Sequence, residues 1–91
     1  MPPSKGEKGL PQQVTPQNIS KVICAFEKLG FTHRRKKSRG KGSHHVLTKK
    51  GLARPVIFTE HGKEIPPNHI KNNLRSAGIT IKNYLKALDE C

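Results

Sequence analysis

Apolar residues recur at helical spacing soon after the start of the chain. The members of this set lie three or four positions apart and predict a helix over residues 16–29: Ile19, Val22, Ile23, Phe26 and Leu29. We expect Thr15 to be its N-cap, Pro16 its first residue and Gly30 its left-handed stop.

Three shorter segments with strand character follow, at about residues 31–37, 43–48 and 53–59. The connections between them are short, which favours an antiparallel meander. Since proline cannot donate a hydrogen bond to a ladder, Pro55 predicts that the third strand lies at an edge or begins near this residue.

Two further helical patterns complete the chain. Pro66-Pro67 opens a helix over about residues 67–77 that Gly78 ends, and Thr80 caps a short third helix. The order predicts an α+β fold with a three-stranded antiparallel sheet and helices packed on one face. Residues 1–13 are polar and rich in proline and glycine, so we expect a flexible tail there and a single domain over residues 14–91.

The charge balance indicates a polyanionic partner. The 91 residues contain 18 Lys or Arg and 6 Asp or Glu, a formal net charge of +12. Nine of the cations lie between His33 and Arg54, a stretch with no acidic residue. Such a run attracts phosphate and dominates the sequence-independent part of nucleic-acid affinity.

The two cysteines show neither a metal-ligand spacing nor a disulfide framework. We expect Cys24 to be a thiol on the apolar side of the first helix and Cys91 to be a free terminal thiol. Thiols suit a reducing compartment, and no stretch of 18 apolar residues is present. The sequence therefore predicts a soluble, cytoplasmic protein.

A pair of histidines adjoins the cationic run, in Gly42-Ser43-His44-His45. An imidazole exchanges a proton near neutral pH, with an unperturbed pKa of roughly 6.5, so a histidine beside a phosphate-binding surface suggests RNA cleavage. Strand alternation puts His44 and His45 on opposite faces, and only the one that faces away from the helices can meet RNA. His61 could supply a second proton if strands two and three pair.

Basic and polar residues around these histidines are the candidate RNA contacts: Arg35, Lys36, Lys37, Arg39, Lys41, Ser43, Arg54 and Lys63. The five histidines show no recurrent ligand spacing, so we predict no metal site.

Four motifs in this order resemble the HicA (YcfA-like) family over about residues 16–89: Leu29-Gly30-Phe31, Lys41-Gly42-Ser43-His44-His45, His61-Gly62-Lys63-Glu64-Ile65-Pro66-Pro67 and Ala77-Gly78-Ile79-Thr80. The resemblance implies an mRNA interferase toxin of a type II toxin–antitoxin system. It further implies a fold like that of double-stranded-RNA-binding domains, metal-independent endoribonuclease activity without a cofactor, and a HicB antitoxin as partner. The catalytic histidine of the family maps onto His44, with His45 as the alternative. The chain departs from the family in a longer, more basic loop before Gly42 and in its N-terminal tail.

Two other classes of function fit the same residues. One is a non-catalytic RNA-binding module of this fold, in which the histidine only contacts phosphate. The other is a basic protein-interaction domain with an acidic partner, whose RNA affinity would depend little on salt.

Overall fold

The computed structural model describes residues 13–37, 43–60 and 64–91. The chain forms these elements in order: α1 (Ile19–Lys28), β1 (Thr32–Lys37), β2 (Ser43–Thr48), β3 (Val56–Glu60), α2 (Pro67–Ala77) and α3 (Ile81–Asp89). The strands form one antiparallel sheet in the order β1-β2-β3. The predicted α+β fold, like that of double-stranded-RNA-binding domains, is confirmed.

Several sequence predictions lie outside the described residues. Arg39, Lys41, His61 and Lys63 are among them, as are residues 1–12 of the predicted tail. The division into a tail and a domain at residue 14 stays a prediction.

β3 begins three residues later than the sequence pattern predicted. Ala53 and Arg54 lie in a bend, and Val56 is the first residue of the strand, directly after Pro55. Because β3 is an edge strand, the position of Pro55 agrees with its inability to donate to a ladder.

The start of α1 corrects the prediction from the sequence. Thr15 is not the N-cap, and Pro16 is not helical; the cap is Asn18, whose side chain accepts a hydrogen bond from the Lys21 backbone at 3.0 Å. The reason is a long-range contact, since Gln17 pairs with Ile65 in an isolated β-bridge. An extended Gln17 cannot belong to a helix, so α1 begins after it.

The other helix ends follow the local signals. Gly30 and Gly78 have φ values of 98° and 73°, in the left-handed region where glycine is favoured. Lys49 donates a hydrogen bond from Nζ to the Leu29 carbonyl at 3.0 Å and so satisfies a carbonyl at the end of α1. Thr80 caps α3 by accepting from the Asn83 backbone at 3.1 Å.

Phe26 lies at the centre of the core and is fully buried. Its ring makes edge contacts with Phe31 and Phe58 at centroid distances of 5.2 and 5.5 Å, and Tyr84 lies at 6.3 Å. These four rings come from α1, its C-terminal turn, β3 and α3. The helices therefore share one core with a single face of the sheet.

A disulfide joins Cys24 to Cys91 with a sequence separation of 67, so the prediction of two free thiols is wrong. Cys24 lies on α1, and Cys91 follows α3, which packs against α1. The packing of these two helices brings the cysteines together, and their spacing in the sequence could not show this. The argument for a reducing compartment depended on free thiols, and the disulfide removes that argument.

In the described part of the chain, none of the helices is sufficiently long and apolar to cross a membrane.

The disulfide should contribute measurably to stability. Cys91→Ser is expected to lower the free energy of unfolding by about 2–4 kcal/mol, because the bond restricts the unfolded chain over a long loop. Urea denaturation with and without dithiothreitol measures this. The reduced wild-type protein should unfold at the midpoint of Cys91→Ser, and the variant should not respond to reductant. Identical midpoints for oxidised and reduced wild type would contradict the prediction.

Tyr84 has a buried hydroxyl with no hydrogen-bond partner among the described residues. Burial raises the pKa of Tyr84 to about 12, from 10.0, because the charged phenolate loses solvation. The folded state therefore favours the neutral phenol, and the associated stability is complete below pH 10 and is lost as the pH rises towards 12.

Tyr84→Phe should accordingly leave the free energy of unfolding at pH 7 unchanged or raise it, because no hydrogen bond within the described chain is lost. Between pH 10 and 12 the variant should lose less stability than the wild type. Denaturation at pH 7 and at several values above pH 10 tests both points. A loss of more than about 1 kcal/mol at pH 7 would show that the hydroxyl has a partner.

Candidate functional site

The central strand β2 divides its side chains between the two faces of the sheet. Directly opposed residues of antiparallel strands share a face, and Leu47 pairs with Val56 and His33, all on one side. Leu47 and Val56 are buried in the core. This side is therefore the core face, and the residues that alternate with it form the open face.

His45 lies on the core face, and His44 lies on the open face. His45 pairs with Phe58, a core residue, and is itself 4% exposed. His44 pairs with Thr59, and both side chains are half-buried. Of the two candidate histidines, only His44 is placed where a large ligand can reach it without disturbing the core.

The described side chains of the open face form three rows across the sheet, the last of which pairs exposed Thr32 with exposed Thr48. His44 and Thr59 belong to one row, in which Lys36 is the register partner on β1. Arg34, Val46 and Ile57 form the next row. The open face thus combines an imidazole, a guanidinium, three hydroxyls and two apolar side chains.

His45 has a partner that the sequence did not reveal. Its Nδ1 atom lies 2.9 Å from Nε2 of His33, and the two rings lie edge to edge and nearly coplanar, with a centroid distance of 5.1 Å and an interplanar angle of 16°. One ring donates this hydrogen bond and the other accepts it, so at least one imidazole must be neutral for the bond to form. The pair fills the β1 side of the core face, which gives His45 a structural position.

The predicted RNA contacts are distributed over different parts of the fold. Arg35 is exposed but pairs with His45, so β1 places it on the core-face side of the alternation. Lys36 is opposite His44 in the register, and Lys37 is opposite Ser43, which precedes His44 on β2. Arg54 is exposed in the bend before β3. Their role in binding RNA stays a prediction.

Sequence reasoning missed Arg34 and Ile57 as residues of the open face. The signal was present in the two-residue period, since Arg34 precedes Arg35 by one position and must take the opposite face. The two-residue period was obscured on β2, because Val46 and Leu47 are adjacent and both apolar. Only the packing of the helices shows which of these two residues faces the core.

β2 and β3 are paired, which was the condition for His61 to approach His44. His61 itself lies outside the described residues, two positions after Thr59 in the sequence. Within the residues that are described, no three His, Cys, Asp or Glu side chains form a group that could hold a metal ion.

This three-stranded sheet with helices on one face and a histidine on the other belongs to the class of α+β domains like those that bind double-stranded RNA. The chain belongs to the HicA toxin family of bacterial toxin–antitoxin systems, whose sequence pattern matches residues 19–79. Membership implies a toxin function, an antitoxin partner and RNA as the general target.

The family match covers about two thirds of the chain, from the start of α1 to the residue after Gly78. α3 and Cys91 lie beyond it. Comparisons with curated proteins and with solved structures give no match.

The two adjacent histidines should respond differently to the same substitution. His45→Ala is expected to lower the free energy of unfolding by about 1–3 kcal/mol, because it removes a buried ring and the contact with His33. His44→Ala, at a half-buried position on the open face, should cost at most about 1 kcal/mol. Urea denaturation of both variants makes the comparison, and equal losses would contradict the assignment of faces.

Proposed function

We propose that this chain is a metal-independent endoribonuclease, an mRNA interferase, in which His44 moves the proton of the attacking hydroxyl. The observation that carries the proposal is the position of His44 on the open face of the sheet. Membership in a toxin family adds to it.

The reaction needs a base, an acid and positive charge. In the cleavage step the base takes the proton from the 2′-hydroxyl, the 2′-oxygen attacks the adjacent phosphorus, and the bond from phosphorus to the 5′-oxygen breaks. The leaving 5′-oxygen takes up a proton from the acid, and the products end in a 2′,3′-cyclic phosphate and a 5′-hydroxyl. Since the nucleophile is part of the substrate, this step requires neither a metal-bound water nor a cofactor.

His44 is the base in this proposal, and His61 is the candidate acid. Cations near His44 would stabilise the charge that develops on the phosphate oxygens. Arg34 occupies the neighbouring row of the open face, and Lys36 is opposite His44 in the register. Arg35 takes the other side of β1, so we do not place it in the cleavage site.

The partner that we propose is a HicB-like antitoxin, which would block the toxin in the cell. The target that we propose for the toxin is mRNA, and we therefore place its action in the cytoplasm.

The test is cleavage of single-stranded RNA by the purified full chain in EDTA. The products should carry 5′-hydroxyl ends. His44→Ala should lower the rate of cleavage by at least about 10²-fold, because it removes proton transfer in the transition state, and should change RNA affinity by no more than about twofold. His69→Ala is the matched control, since His69 is exposed on α2, and it should cleave as the wild type does.

Each alternative has a distinct outcome. If the wild type binds RNA but never cleaves it in EDTA, the chain is a binding module and the nuclease proposal is wrong. A dependence of log affinity on log salt with a slope near zero would favour the protein-interaction domain, because each phosphate contact on a single strand contributes about −0.7.

A further inference from the structure

The open face has an apolar centre beside His44 that the cleavage step does not use. Ile57 is 48% exposed, whereas the large apolar side chains of the core are nearly all fully buried. Val46 is half-buried and pairs with Ile57 across the strands. Two β-branched side chains with restricted rotamers therefore lie side by side on this surface.

The backbone of Ile57 is hydrogen-bonded to α2. Its backbone carbonyl accepts a hydrogen bond from Nδ2 of Asn73 on α2 at 3.3 Å. β3 is also paired with β2 along its length. The exposed side chain therefore stands on a supported strand, and a ligand would meet a preformed surface.

Charge identifies the kind of ligand. Arg34 is the register partner of Val46 and ends the apolar row on the β1 side. None of the strand positions that alternate onto the open face is acidic, and the chain as a whole carries a net charge of +12. A ligand that offers an apolar face next to a phosphate matches this row, and an unpaired nucleotide is such a ligand.

The distance from Val46 to His44, the proposed general base, agrees with this assignment. Val46 and His44 are two residues apart on one strand, which corresponds to about 6–7 Å along the chain. A nucleobase packed on Val46 and Ile57 therefore belongs to a nucleotide at or next to the bond that His44 would cleave. In a duplex this base would be stacked and paired, and its face would be covered by its neighbours.

We propose that Val46 and Ile57 form a platform for one unpaired RNA base, with Arg34 contacting an adjacent phosphate, so that the chain selects single-stranded over duplex RNA. Aliphatic side chains pack against extruded bases in other nucleic-acid enzymes. This inference rests on the proposed function for the position of the cleaved bond at His44, but its test does not depend on cleavage.

Binding is measured in a His44→Ala background, so that the RNA remains intact. Two oligomers of equal length and charge are compared by fluorescence anisotropy: a single-stranded oligouridylate and the corresponding abasic ribose-phosphate chain. Ile57→Ala should weaken binding of the oligouridylate by about threefold to tenfold, because apolar contact with the base is lost. It should leave binding of the abasic chain unchanged, which also shows that the variant is folded. Ile57→Val keeps the β-branched surface and should bind both oligomers as the parent does.

The salt dependence of RNA affinity distinguishes the apolar contact of Ile57 from the phosphate contact of Arg34. Ile57→Ala should leave the slope of log affinity against log salt unchanged, since no counterion is displaced by an apolar contact. Arg34→Gln should reduce the magnitude of the slope by about 0.7. Arg75→Gln on α2 removes the same charge from an exposed helical position and should leave the slope as it was.

Three results would overturn the platform. The first is equal binding of the oligouridylate by Ile57→Ala and its parent. The second is an equal loss on both oligomers. The third is an effect of Ile57→Ala on antitoxin binding alone, which would assign the surface to a protein partner. Cleavage by the wild type in EDTA is a separate measurement, so the nuclease proposal can fail while base-dependent binding stands, and the converse also holds.

Discussion

The two-residue period of β2 is the constraint on which the rest of the structure depends. β2 is the central strand, and its register with both neighbours assigns every side chain to a face. A slip by one residue would exchange His44 with His45 and turn Leu47 outwards. The burial of Leu47 against Val56 opposes this slip, so the same packing that stabilises the sheet also positions the candidate base.

The two histidines show how one dipeptide can serve two purposes. His45 lies beneath the sheet, edge to edge with His33, where a polar ring is acceptable because it has a hydrogen-bond partner. The side chain of His44 lies on the opposite, open face of the sheet, where RNA would bind in the proposed function. A substitution at either position therefore affects a different property of the protein, although the residues are adjacent.

The cationic sequence of β1 also has two consequences. It supplies Arg34 to the open face, in the row next to that of His44. It also places positive charge along an exposed edge strand, which discourages pairing with the edge of another copy.

Behind the sheet, α3 closes the core with Tyr84 and is tied to α1 by the disulfide, although the family pattern ends before α3. In a chain of 91 residues, where the core is small, this C-terminal segment is part of the stabilising structure.

The sequence by itself determined the features that depend on neighbouring residues. The bounds of β2 and α2 and the glycine stops of α1 and α2 agree with the structure because strand alternation, proline at a helix start and left-handed glycine are local effects. Only the tertiary structure decided the rest. α1 begins at Ile19 because Gln17 pairs with distant Ile65, and Cys24 meets Cys91 because α3 packs on α1. The choice between His44 and His45 belongs to the same group, because Val46 and Leu47 are both apolar and the helices cover only one side of their strand.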